Sequence, residues 1–226
     1  MSRGIRIPIA LAAAVTNGIC QSQTPLAAGN LTINGSLASG GVATLAAAGT
    51  NVGRQVLLTF AASESGKTFT LTGLDPAGNT ITEAVAGAAA TAVSTLMFAS
   101  VSQVAVSAAT AGAVTVGTNG VGATTWVPMD SDRIGAAWSL GTIISGTANV
   151  MPQATLDPLS PGEVGIWMQQ PTDTFTAPTT FDLEASALTA SKLTYGQFPV
   201  HGVRLLVNSG GTSGTFYFEV VQQGLM

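Results

Sequence analysis

The sequence predicts an all-β protein: two β-sandwich-like domains preceded by an extended N-terminal arm. Three observations point there. No stretch of about 12 residues sets apolar positions at i, i+3, i+4 and i+7 against a polar face, so helix signals are nearly missing. Short runs of alternating apolar and polar residues recur throughout at roughly ten-residue spacing. Between them stand clusters of Gly, Pro, Asn, Asp and Ser, the residues that turn a chain. The Ala-rich runs at Ala46–Ala48 and Ala86–Ala92 are flanked by Gly and Thr and are too short to hold a helix on propensity alone.

Residues 1–50 carry the weakest pattern, with Pro8, Pro25 and several Gly, and are expected to form an arm lying on a neighbouring subunit. The start has Arg3 and Arg6 before an apolar run from Ile7 to Val15, as a secretory leader would. Thr16-Asn17-Gly18-Ile19-Cys20 offers no small-x-small cleavage site, and the run is too short to span a bilayer. An ordered arm is therefore expected rather than a leader.

Residues 51–123 form the first expected β domain. Arg54–Phe60 reads as a strand closed by Ser63-Glu64-Ser65-Gly66. The clearest hairpin spans Lys67–Val85: Phe69 and Leu71 alternate with Thr68, Thr70 and Thr72, and Ile81 sits opposite in sense to Thr82. Asp75-Pro76-Ala77-Gly78-Asn79 supplies its turn, because Pro presets φ and Gly accepts a positive one. Leu96–Val106 and Ala113–Gly117 complete the domain, and the Gly-rich stretch 117–122 sets the boundary near residue 124.

Residues 124–226 form the second. Strands are expected at Ala137–Ile144 and Thr147–Leu156, followed by a turn-rich stretch from Asp157 to Tyr195 holding Pro158, Pro161, Pro171 and Pro178. The chain closes with Val203, Leu205 and Val207 alternating against polar neighbours, then Phe216, Phe218 and Val220 doing the same. Ser209–Gly214 between them predicts a second hairpin.

Composition bounds the function. Charged residues are only 8% of the chain, against about a quarter in ordinary soluble domains. With 7 basic and 11 acidic side chains, a free monomer has little charge to keep it soluble. A surface coated with Ser, Thr and Gly, or one largely covered by partners, would resolve this; the mean hydropathy of +0.43 fits the second better, so the chain reads as a subunit. The net charge of −4 and the scattered arginines (Arg3, Arg6, Arg54, Arg133, Arg204) argue against nucleic acid as a partner.

Catalytic chemistry finds little support. A serine triad needs a base, and the sole histidine, His201, stands at the start of a strongly patterned strand with no G-x-S-x-G elbow in the chain. One His and one Cys leave no His/Cys metal site, and Cys20 reads as a small buried hydrophobe. Asp130 with Asp132, or Asp182 with Glu184, have a spacing that calcium ligands can use, but no EF-hand loop surrounds them. A glycosidase would need two of the acids of Asp157–Glu184 across a cleft with Trp167, Phe175 or Phe181 as sugar platforms. Gly66-Lys67-Thr68 lacks the upstream Gly of a phosphate loop, since Ala61 stands there, and Thr68–Thr72 reads as a strand. No enzyme and no cofactor are expected.

Aromatic anchors dominate interface energetics, so Trp126, Trp138 and Trp167 are the candidate subunit contacts. Ile7, Ile9 and Leu11 of the arm join them.

Two segments carry a family resemblance. Gln55-Val56-Leu57-Leu58-Thr59 through Thr68–Gly73 and Gly78–Glu83 resembles a recurring segment of tailed-bacteriophage virion proteins. Phe198–Leu205, Ser209-Gly210-Gly211 and Gln222-Gln223-Gly224 are similar to the C-terminal strands of the same group. The resemblance implies a virion structural protein, often one that decorates or cements a head, and leaves head against tail open, with the head favoured; the absence of a targeting signal points to synthesis in the host cytoplasm. The expected partners are copies of itself, with a trimer favoured, and the major capsid protein or another virion protein, with no membrane. A tail, connector or fibre-base subunit is the alternative, and a receptor- or glycan-binding head-fibre module is a third.

Overall fold

β-Branched residues and alternating apolar positions favour extended chain, and extended chain is what forms. The computed structural model describes residues 5–46, 52–129, 137–146, 149–156, 180–196, 200–207 and 214–222. Among them there are strands and no helix. The hairpin foreseen at Lys67–Val85 is present as β7 (Thr68–Leu74) and β8 (Thr80–Ala86), paired from Thr68↔Ala86 to Leu74↔Thr80. Its turn is built by Asp75, whose Oδ1 accepts the N–H groups of Ala77 at 2.9 Å and Asn79 at 2.8 Å. Gly78 takes φ 88°, a left-handed conformation that a side chain would strain.

Three sheets organise the chain. The remaining strands are β1 (Ile5–Ile9), β2 (Cys20–Gln23), β3 (Gly29–Asn30), β4 (Ala38–Ser39), β5 (Val42–Thr44), β6 (Val52–Phe60), β9 (Thr91–Val93), β10 (Ser100–Val106) and β11 (Val114–Thr124). They continue with β12 (Val127–Pro128), β13 (Trp138–Gly146), β14 (Val150–Thr155), β15 (Thr180–Asp182), β16 (Lys192–Gly196), β17 (Gly202–Val207) and β18 (Gly214–Gln222). A six-stranded sheet has the order β4-β5-β10-β7-β8, with β3 on β10. An eight-stranded sheet runs β15-β14-β17-β11-β6-β9, with β12 on β17 and β2 on β11. A four-stranded sheet runs β1-β18-β13-β16.

The eight-stranded sheet serves two cores. Val56, Leu58, Phe60, Val114 and Val116 from it meet Phe69, Leu71, Ile81, Val101 and Val104 of the six-stranded sheet in a first core. Phe60 and Phe69 stack across that core with ring centroids 5.1 Å apart. Val150, Val203, Leu205 and Val207 meet Ile7, Ile9, Trp138, Leu140, Phe218 and Val220 of the four-stranded sheet in a second. Each fully buried side chain of this size contributes about 1.5–3 kcal/mol. The arrangement is sandwich-like in both halves.

β6 belongs to both. Its even positions share one face: Val52 enters the second core, and Val56, Leu58 and Phe60 enter the first. Arg54 lies between them, only 2% exposed. Its Nη2 reaches the carbonyl oxygens of Ala12, Ala13 and Asn119 at 3.0, 2.9 and 3.1 Å. Its Nε has no hydrogen-bond partner, and burial lowers the guanidinium pKa. A charge is thus used to hold backbone carbonyls at the seam between two apolar clusters.

A second buried charge seals the first core. Glu64 is 0% exposed and accepts the N–H groups of Ala111 at 3.1 Å and Gly112 at 2.9 Å, together with the Lys67 ammonium. Burial alone would raise its pKa, but the hydrogen bonds from Lys67, Ala111 and Gly112 and the Lys67 charge outweigh that and hold it below the usual carboxylate value.

Three expectations need correction. Residues 5–46 pack into the chain's own sheets and cores rather than forming an extended arm. Among the described residues, β1 pairs with β18 from Ile5↔Val220 to Ile9↔Phe216, and Ile19, Cys20, Leu31, Ala43 and Leu45 lie in the first core. Between these, Val15 exchanges hydrogen bonds with Thr118, so the N-terminal segment ties one core to the other. The Gly-rich 117–122, read as a break in the chain, is strand: β11 runs through it to Thr124 with a register shift between Thr118 and Gly122. Gly117 is there for contact: a Cβ would lie 2.0 Å from the carbonyl oxygen of Val15. Finally, β17 and β18 are both present but form no hairpin. β17 pairs with β14, β11 and β12, and β18 with β1 and β13, so the chain changes sheets between them.

Candidate interaction surface

The four-stranded sheet buries one face and exposes the other. Leu140, Trp138, Phe218, Val220, Ile7 and Ile9 point into the second core. Period-two alternation then sends their neighbours outward. Register places Tyr195, Ser139 and Val221 in one row across β16, β13 and β18, and Leu193, Gly141, Glu219 and Arg6 in the next. A third row holds Ile143, Tyr217 and Pro8.

This outward face is apolar for a solvated surface. Tyr195 is 77% exposed, Leu193 64% and Ile143 37%. Its polar content is concentrated in one ion pair, Arg6 Nε to Glu219 Oε1 at 3.4 Å, with the Arg6 guanidinium 3.7 Å from the Tyr217 ring centroid. Both charges are well exposed, so the pair adds little stability. Its effect is to cancel charge on this face.

The sheet also has two open edges, β1 and β16. β1 carries Pro8, which has no N–H to offer a further strand. β16 has no such block. On its core side it is held firmly: Glu184 accepts from Lys192 Nζ and Thr194 Oγ1, both at 2.5 Å, and these two hydrogen bonds lower its pKa against the opposing effect of burial. Gly196 lies against the Trp138 indole, where a Cβ would come within 2.2 Å of the ring.

The sequence-derived candidates sit elsewhere. Ile7, Ile9 and Leu11, expected at a subunit contact, are 8%, 3% and 7% exposed within the chain's own second core. Trp138 is 3% exposed in the same core. Trp126 is half-buried on the opposite face of the eight-stranded sheet, with the Arg204 guanidinium 4.6 Å from its ring centroid. Arg204 Nε donates to Gln153 Oε1 at 3.0 Å, and Gln153 Nε2 donates to Asp182 Oδ1 at 2.8 Å. Burial pulls the Arg204 pKa down to about 10, with Asp182 opposing the shift. Trp167 lies outside the described residues, as do Asp130, Asp132, Asp157 and Phe175.

The chemical candidates are dispersed too. Asp182 and Glu184 face different partners, Gln153 for the one and Lys192 with Thr194 for the other. Lys67, next to the glycine that suggested a phosphate loop, is held by Glu64 in a hairpin. His201 is exposed, and its backbone links Thr155 and Met129. Cys20 is buried, which pushes its thiol up to about 12. The residues that form the exposed face, Leu193 and Tyr195, lie where the sequence suggested turns. The usable signal was the alternation of Lys192-Leu193-Thr194-Tyr195-Gly196, a five-residue strand within that stretch.

Compared with protein-family models, with curated proteins and with solved structures, the chain matches none.

Proposed function

We propose that this chain is a non-enzymatic structural subunit of a tailed-phage virion, decorating or cementing the capsid through repeated subunit contacts. The observation that carries the proposal is the outward face of the four-stranded sheet, where Tyr195, Leu193 and Ile143 are exposed together beside an open strand edge. Apolar area of this kind gains about 25 cal/mol per Å² when a partner covers it. Repetition on a symmetric lattice multiplies a modest contact through effective concentration. The very low charge content supports the same reading.

The deciding measurement is the stoichiometry of this chain in purified particles, by mass spectrometry against the major capsid protein. A ratio near unity or a simple fraction of it is the expected result. A far smaller copy number would move the chain to the tail or connector, and its absence from particles would overturn the virion role.

A further inference from the structure

Among the described residues six strands end the three sheet orders, with β2, β3 and β12 as short side branches, and five of the six are defended. β4, β9 and β15 are two or three residues long, too short to template another strand. β1 carries Pro8 and the charged Arg6. β8 turns Glu83 inward, where its two carboxylate oxygens accept the N–H groups of Thr95 at 2.7 Å and Leu96 at 2.9 Å. Inward-facing charge of this kind stops a further strand from docking. β16 is five residues long, has no Pro and turns no carboxylate of its own inward. Its one charge, Lys192, is drawn to Glu184, and no further strand among the described residues pairs with its outer edge.

We infer that β16 is the pairing edge for a second copy of this chain, joined antiparallel about a two-fold axis at Thr194. The inference rests on the assembly role proposed above and names its first contact. The strand is complementary to itself in that register. Leu193 faces Tyr195 of the second copy twice, and Lys192 faces Gly196, so no like charges are opposed. The same pairing brings Leu193, Tyr195 and Ile143 of both copies onto one side of a continuous sheet, where cross-strand aliphatic–aromatic contacts cover surface that each chain alone leaves open. A head-to-tail ring would need β1 as the second edge, and Pro8 opposes that. The contact is therefore isologous and closes at two copies rather than at the trimer favoured from the sequence.

Sedimentation of the full-length chain at micromolar concentration tests the oligomer. Two-fold association is expected, and Tyr195→Lys or Leu193→Lys should weaken it by at least about tenfold. Both side chains are mostly exposed, so thermal unfolding of the variants should match the parent and separates lost contact from lost fold. Cysteine cross-linking tests the register. Leu193→Cys and Tyr195→Cys chains mixed together should form a disulfide, since directly opposed residues lie about 5 Å apart. Either variant alone should not, because its cysteines would sit roughly 8 Å apart. Buried Cys20 stays out of this readout. A monomer, a trimer, association insensitive to both lysine variants, or cross-links within a single variant would each overturn the inference. Dimers from a chain missing in particles would refute only the virion role, and a monomer abundant in particles only the β16 contact.

Discussion

In the first half of the molecule, the long edge strand β8 presents Thr80, Thr82, Ala84 and Ala86 to solvent and uses Glu83 to close itself against Thr95 and Leu96. In the second half, the edge strand β16 presents Leu193 and Tyr195, and no other described strand pairs with its outer side. Both halves share the eight-stranded sheet and both bury a complete core. Among the described residues, the long edge strand of one half is blocked by an inward carboxylate and that of the other is not. The difference teaches that Ile143, Leu193 and Tyr195 gather on one sheet face, whereas the other exposed apolar side chains, Leu26, Val42, Leu74, Val93 and Leu156, stand on other strands and loops.

The comparison breaks most severely at the seam. Arg54→Ala would leave the carbonyls of Ala12, Ala13 and Asn119 without a donor and cost about 3–5 kcal/mol. Calorimetry should then show two transitions in place of one, because the halves lose the group that joins them. A single transition at the parent temperature would show that the shared strands alone couple the cores.

Glu64→Ala is next, at about 2–4 kcal/mol, since it strands two backbone N–H groups and the Lys67 ammonium beside the first core. Hydrogen exchange should rise in β7 and β10 well before it rises in β13 and β18. Uniform exchange would count against the two halves having separate stabilities.

Acid sharpens the same contrast with a smaller effect. Glu64 and Glu184 both have folded pKa values below the ordinary 4.5, so their contributions are present above that value and disappear as pH falls through the folded pKa. Stability should drop between the unfolded and folded values, and Glu64→Gln should flatten that dependence in the first half. An unchanged acid profile in that variant would remove Glu64 from the account.

The smallest effect on folding is expected at the open edge. Leu193→Lys and Tyr195→Lys should change unfolding free energy by no more than about 0.5 kcal/mol, as exposed positions do. A loss comparable to that of Glu64→Ala would mean that these side chains support the monomer itself.

Much of the strand content was legible residue by residue. Phe69 and Leu71 against Thr68, Thr70 and Thr72, with Asp75 and Gly78 at the turn, specify a hairpin locally, and the hairpin formed. Val203–Val207 and Phe216–Val220 alternate as clearly, yet they lie in different sheets. Alternation tells which face of a strand is buried, but both edges of any strand offer the same N–H and C=O groups, so partner choice depends on which strands fold up alongside. The tryptophans were visible as large apolar groups, but the exposure that distinguishes a core anchor from a contact arises only when opposing sheets close over Trp138 and leave Tyr195 outside. Local chemistry thus dictated the extended chain, the turns and the scarcity of charge. The shared sheet, the Arg54 seam and the open edge of β16 came from long-range packing, because each depends on segments brought together from distant parts of the chain.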